Sequence, residues 1–171
     1  MSDPRHGVRP SLWLLPDEAD RLAPVLASLA AAHGGPRFAP HLTLLGSIPG
    51  DDLRRGAAAL ASRLPPLTLP TGAVVGADRW FRCVTLQVPC TAALQAARSA
   101  AEAAFGVPPR PWRPHISLLY GALTAPARAS LIAALPDLPP TVRFSRLSLV
   151  RTVGPAESWT TLAAHPLRAP Q

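Results

Sequence analysis

Lysine is absent from this chain. All 17 basic residues are arginine, set against 10 acidic residues, for a net charge of +7. Guanidinium groups suit bidentate contact with phosphate, but an Ala-, Pro- and Arg-rich composition explains a lysine-free chain equally well. The charge attracts a phosphate-bearing substrate without identifying an anionic macromolecule. Cysteine is scarce: Cys83 and Cys90 are too few for a structural zinc site. They flank an expected strand, too far apart to bridge easily, and both are expected as buried free thiols. Met1 to Pro10 is polar, with no apolar run of signal-peptide length. No stretch reaches the roughly 20 apolar residues of a membrane span. A soluble cytoplasmic protein, monomeric and away from membranes, is the expectation. Aromatic residues make up 5% of the chain while 48% is hydrophobic, so the core of a 171-residue domain must come largely from Leu and Ala.

Against these absences stand two short strings, Pro40-His41-Leu42-Thr43-Leu44-Leu45 and Pro114-His115-Ile116-Ser117-Leu118-Leu119, set 74 residues apart. In a strand, positions i and i+2 share a face. His41 and Thr43 therefore point one way and Leu42 and Leu44 the other, and His115 and Ser117 repeat the arrangement. The apolar residues can enter a core while imidazole and hydroxyl line an open surface.

The repetition extends beyond the motifs. Ser11 to Pro16 reads as a strand ending at Pro, followed by a helix from Asp17 to His33 with Asp17 at its start and Gly34-Gly35-Pro36 at its end. His41 to Ile48 reads as the next strand. In the second half, Arg82 to Pro89 is a strand, Thr91 caps a helix running to Phe105, and the strand His115 to Tyr120 follows. Leu64-Pro65-Pro66 recurs as Leu138-Pro139-Pro140, again 74 residues on. A helix precedes each (Asp51 to Arg63, Ala125 to Ala134) and a strand follows each (Leu67 to Val75, Val142 to Val150). Trp159 to Ala163 supplies a last strand, able to cross back to the first lobe. The expected fold is α+β: two pseudo-symmetric lobes, each a mostly antiparallel sheet with helices packed outside, and an active-site cleft between them. The chain is read as one bilobal domain over 1–171, with repeats at about 11–81 and 82–171.

Imidazole titrates near pH 6.5 and can act as base or acid at neutrality. Opening a cyclic phosphodiester needs both roles, one His taking a proton from the attacking water and the other protonating the departing oxygen. Thr43 and Ser117 would donate to the non-bridging phosphate oxygens, where charge builds up. Asp and Glu are absent from both motifs and their flanks, so no metal site and no cofactor are expected. Trp112 is a candidate to stack on a base or wall the cleft. Arg113, Arg110 and Arg37, on the loops entering the motif strands, are candidates to clamp phosphate, as is Arg151. Trp13 is expected in the core, and His6, His33 and His165, which lack a hydroxyl partner, at the surface.

The paired H-x-[ST]-x strings and the lobe repeat resemble the 2H phosphoesterase superfamily. Ser11-Leu12-Trp13-Leu14-Leu15-Pro16, Pro36-Arg37-Phe38-Ala39-Pro40-His41, Pro114 to Tyr120 and Ser158-Trp159-Thr160-Thr161-Leu162 look like the cyclic phosphodiesterases of plants and yeast. The resemblance implies hydrolysis of ADP-ribose 1″,2″-cyclic phosphate and of nucleoside 2′,3′-cyclic phosphates to 2′-phosphates. His41, Thr43, His115 and Ser117 would form the catalytic tetrad, with Tyr120 in the substrate pocket. Tyr120 lies three residues after Ser117, so a bulge or strand end must turn it back to the same face. Two alternatives stand beside this reading: a LigT-like enzyme acting on RNA 2′,3′-cyclic termini, and a catalytically silent module binding nucleotides or RNA.

Overall fold

The computed structural model of the chain describes residues 9–17 and 19–168; His6 lies outside them. In chain order the elements are β1 (Ser11–Pro16), α1 (Ala19–His33), β2 (Leu42–Leu45), α2 (Leu53–Ala61), β3 (Leu67–Pro70), β4 (Val74–Gly76), β5 (Val84–Gln87), α3 (Ala92–Phe105), β6 (His115–Leu119), α4 (Ala125–Ala133), β7 (Thr141–Arg151) and β8 (Thr160–Pro166). A 3₁₀ turn at Trp80–Arg82 precedes β5 and another at Ala156–Ser158 precedes β8. Local chemistry sets several boundaries. The Thr91 hydroxyl accepts from Leu94 N–H at 3.2 Å, and Gly106, at φ 60°, closes the same helix in the left-handed conformation that glycine adopts without strain. Thr124 caps α4 in the same way, accepting from Ala127 N–H at 3.3 Å. No helix among the described residues is long and apolar enough to cross a membrane.

The strands join one antiparallel sheet in the order β3-β7-β1-β2-β6-β5-β4, with β8 also paired to β7. The halves exchange strands. β7, from the second half, pairs with β1, and β4, from the first half, pairs with β5. This exchange splits the expected Leu67 to Val75 strand in two. β3 pairs with β7 and β4 with β5, and the residues between them cross from one side of the sheet to the other. Thr71 Oγ1 fixes that crossing by donating to Pro139 O at 2.6 Å, and Gly72 N–H donates to Gln87 O at 2.7 Å.

The helices exchange as well. α1 packs on β6 and α3 on β2, so each half's helix covers the other half's motif strand. Leu12, Leu14, Leu42, Leu44, Ile116 and Leu118 have no exposed surface and meet the helices on one face of the sheet. Each contributes about 1.5–3 kcal/mol by burial. The alternation that buries them leaves Trp13, His41, Thr43, His115 and Ser117 for the opposite face.

Candidate active site

The two motif strands meet at the middle of the sheet. β2 pairs with β6 in antiparallel register through Leu42 and Ile116. These residues are 74 apart, so equivalent positions of the two repeats face each other and a local two-fold axis passes between them. Antiparallel register then sets His41 across from Ser117 and Thr43 across from His115, each imidazole beside the other motif's hydroxyl. All four side chains line one cavity of about 790 Å³.

The imidazoles are oriented alike. His41 Nδ1–H donates to Ala39 O at 2.7 Å and His115 Nδ1–H to Arg113 O at 2.9 Å, each two residues back along the chain. A carbonyl only accepts, so Nδ1 carries a proton and Nε2 is the nitrogen left to exchange one. Their surroundings differ. His41 is 5% exposed, and the Trp13 ring lies flat against it, centroids 3.5 Å apart at 8°. Burial pushes His41 down to about 4, opposed in part by the Ala39 carbonyl. His115 is half-buried. It too is lowered by burial, opposed by the Arg113 carbonyl, with Arg82 lowering it further.

Both motif strands bulge at the same point. On β1, Leu12 and Trp13 face Leu45 and Thr43, which leaves Leu44 as an extra residue on β2. On β5, Val84 and Thr85 face Leu119 and Ser117, which leaves Leu118 as the extra residue on β6. A bulge shifts the alternation by one position. That shift returns Tyr120 to the Ser117 face, where it lines the cavity at 3% exposure. Ser117 donates to Phe81 O at 3.2 Å, and its side chain partly offsets the effect of burial on Tyr120. Burial raises Tyr120 above the usual phenol range, so it stays a neutral donor.

Aromatic rings form the rest of this wall. Tyr120 stacks on Phe38 at 3.8 Å. Trp159 contacts Trp13, Phe81 and Tyr120 at centroid separations of 5.8, 6.1 and 5.9 Å. Trp13, expected as core, is 6% exposed but lies on the cavity face, because the core face of β1 belongs to Leu12 and Leu14. Trp112 lines the cavity, with the Arg98 guanidinium 4.9 Å from its ring centroid.

The basic lining differs from the expected set. Arg79, Arg82, Arg98 and Arg110 line the cavity, with no Asp or Glu among the lining residues. Arg113, Arg37 and Arg151 are exposed and outside the lining. Arg113 instead contributes its backbone carbonyl to His115. Arg98 had a legible signal: with Glu102 it forms an i, i+4 pair beside the apolar stripe of Leu94, Ala97 and Ala101. Arg79 and Arg82 had none, being brought in by the turn before β5. Away from the site, Cys83 is buried but Cys90 is exposed. His33 is exposed, whereas His165 is half-buried, its Nε2 enclosed without a hydrogen-bond partner among the described residues. It pairs with the buried Leu147 on β7, in the strands against which α2 packs.

Two Nε2 nitrogens, two hydroxyls and a carboxylate-free basic lining equip the cavity to bind a phosphate and move protons on either side of it. The model of the family described as the 2′-5′ RNA ligase superfamily matches residues 9–156. A cyclic phosphodiesterase of Arabidopsis thaliana is 29% identical over 168 residues, covering 90% of this chain and 92% of its own length. Among solved structures, E. coli LigT complexed with 3′-AMP is similar with a TM-score of 0.58 at 19% identity, covering 95% of this chain and 99% of that one. TT0787 of Thermus thermophilus gives 0.56 at 20% identity, covering 95% and 100%. The two structural likenesses establish the fold.

Proposed function

The chain belongs to the 2′-5′ RNA ligase superfamily of 2H phosphoesterases, and we propose that it hydrolyses cyclic phosphodiesters without a metal. The substrates are ADP-ribose 1″,2″-cyclic phosphate and nucleoside 2′,3′-cyclic phosphates, the latter opened to 2′-phosphates. One observation carries the reading: His41 and His115, tied identically through Nδ1, flank a shared cavity with Thr43 and Ser117 between them. The Arabidopsis relative named cyclic phosphodiesterase supports the hydrolytic chemistry, and the LigT complexed with 3′-AMP supports a nucleotide-sized ligand. The proton transfers are assigned to the two histidines, since the cavity lining carries no Asp or Glu.

In the proposed reaction, water attacks phosphorus and gives a proton to the Nε2 of one histidine. The bond from phosphorus to O3′ breaks, and O3′ takes a proton from the other histidine, leaving a 2′-phosphate. His41 is assigned as base, because burial under Trp13 keeps it neutral. His115, nearer to solvent, reloads with a proton and serves as acid; Arg82 beside it sharpens that acidity. Thr43 and Ser117 donate to the non-bridging oxygens, and Ser117 turns from Phe81 O to do so.

A second reading, action on RNA 2′,3′-cyclic ends, is favoured by Trp80. This ring is 42% exposed at the cavity, beside Arg79 and close to Arg82, a stacking platform flanked by cations. Comparing kcat/KM for 2′,3′-cyclic AMP, ADP-ribose 1″,2″-cyclic phosphate and a short RNA with a cyclic end separates the readings. Faster turnover of the two small substrates is expected. An RNA preference of tenfold or more moves the assignment to the RNA-end branch, and binding without turnover of any substrate leaves a nucleotide-binding module.

A further inference from the structure

We propose that Arg98 is a positioning residue that fixes the spacing of the two histidine motifs, by holding the Leu44 carbonyl and the Trp112 ring at once. The inference rests on the two-histidine reading of the cavity. Arg98 sits on α3 at 8% exposure, among the buried residues Leu94, Ala97 and Ala101. A guanidinium there needs a partner for its charge and its N–H groups. Glu102, one turn on, supplies the first through a 2.7 Å bridge to Nε. The second comes from the opposite half of the molecule, where Nη1 donates to Leu44 O.

Leu44 is the extra residue of the β2 bulge. A bulged residue loses its place in the ladder, and a buried carbonyl left that way must find another donor. Arg98 provides it, next to Thr43 in the chain. The same guanidinium lies 4.9 Å from the Trp112 ring centroid, three residues before His115. One side chain thus touches both motif segments, tying the bulge behind His41 and Thr43 to the loop that enters His115.

The device is one-sided. Counted back from the left-handed glycines that close the two helices, Gly34 and Gly106, the position equivalent to Arg98 in the first repeat is the buried Leu26, which has no donor to offer the Leu118 bulge. Arg98 also lines the cavity, but Glu102 already neutralises it, which favours positioning over capture of a second substrate anion. An arginine that positions the motifs affects turnover, whereas one that binds substrate affects KM.

The test uses the whole chain and the double variant R98M/E102L, which fills the helix face without leaving an unpaired buried charge. With 2′,3′-cyclic AMP, the double variant is expected to lose 10- to 100-fold in kcat with KM within threefold of wild type. R98K, whose ammonium reaches Leu44 but cannot lie over Trp112 as the guanidinium does, should recover much of the loss and remain three- to fivefold below the wild-type kcat. A double variant within twofold of wild type in kcat, or a tenfold rise in KM at constant kcat, overturns the proposal. If the double variant does not fold, R98K decides, and wild-type kcat together with an unmoved His115 ring signal refutes positioning. If wild type turns over no cyclic phosphate, the two-histidine reading fails separately. NMR titration of His41 and His115 then judges Arg98: displaced titrations in R98M/E102L support it and unchanged ones reject it.

Discussion

Replacing His41 or His115 with alanine is expected to lower kcat/KM for 2′,3′-cyclic AMP by about 10²–10⁴-fold each, the usual weight of one positioned proton-transfer group. The two losses should not add in the double variant, because base and acid act on one displacement. The structural consequences differ. His115 is half-buried, so H115A should melt close to wild type. His41 is 5% exposed under Trp13, deeper than its motif alone suggests, so H41A also opens a small cavity. His41→Gln fills more of that space and separates the two effects. Steady-state kinetics alongside thermal melts measure both, and a folded H41A or H115A within tenfold of wild type would remove that histidine from the mechanism.

The second large effect is expected at Trp13. Its ring covers His41 at 3.5 Å, and burial is what holds that imidazole at about 4. Trp13→Ala should cost about 3–5 kcal/mol of stability as a large-to-small change at a buried site. It should also let His41 rise towards its ordinary value near 6.5. A base works only when unprotonated, so kcat/KM falls below its pKa. The acidic limb of the wild-type profile belongs near 4, and Trp13→Ala should move it upward, with the greatest relative loss around pH 5. Stability should respond through the same group. Between about 6.5 and 4 the unfolded chain binds the His41 proton and the folded protein does not, so wild-type stability falls as pH drops through that window. The variant should lose less. An acidic limb that stays in place after Trp13→Ala would mean that another group is the base.

Much of this site was legible because its chemistry is local. The i, i+2 spacing of His41 with Thr43 and His115 with Ser117 sets all four on one face once those segments are extended. Thr91 and Gly106 mark the ends of α3 through backbone hydrogen bonding and a left-handed φ, which depend only on neighbouring residues. The misreadings came from contacts between distant segments. Trp13 looks like core until the sheet shows Leu12 and Leu14 taking that face. The single Leu67 to Val75 strand divides because its two ends pair with β7 and β5, in opposite halves. Arg113 looked like a phosphate clamp, but its contribution is a carbonyl, which no side-chain pattern reports. Tyr120 was placed in the pocket by resemblance, with a bulge required to put it there, and the extra residue Leu118 supplies that bulge.

Two histidines that open a cyclic phosphodiester without a metal should do so undisturbed by a chelator. Phosphorus NMR of 2′,3′-cyclic AMP incubated with the protein in excess EDTA tests this most directly, because the cyclic, 2′- and 3′-phosphates give separate resonances. Conversion of the cyclic signal to 2′-AMP, at a rate that EDTA does not change, is the expected result. An unchanged cyclic signal, conversion to 3′-AMP, or turnover that stops with EDTA and returns with added metal would contradict it.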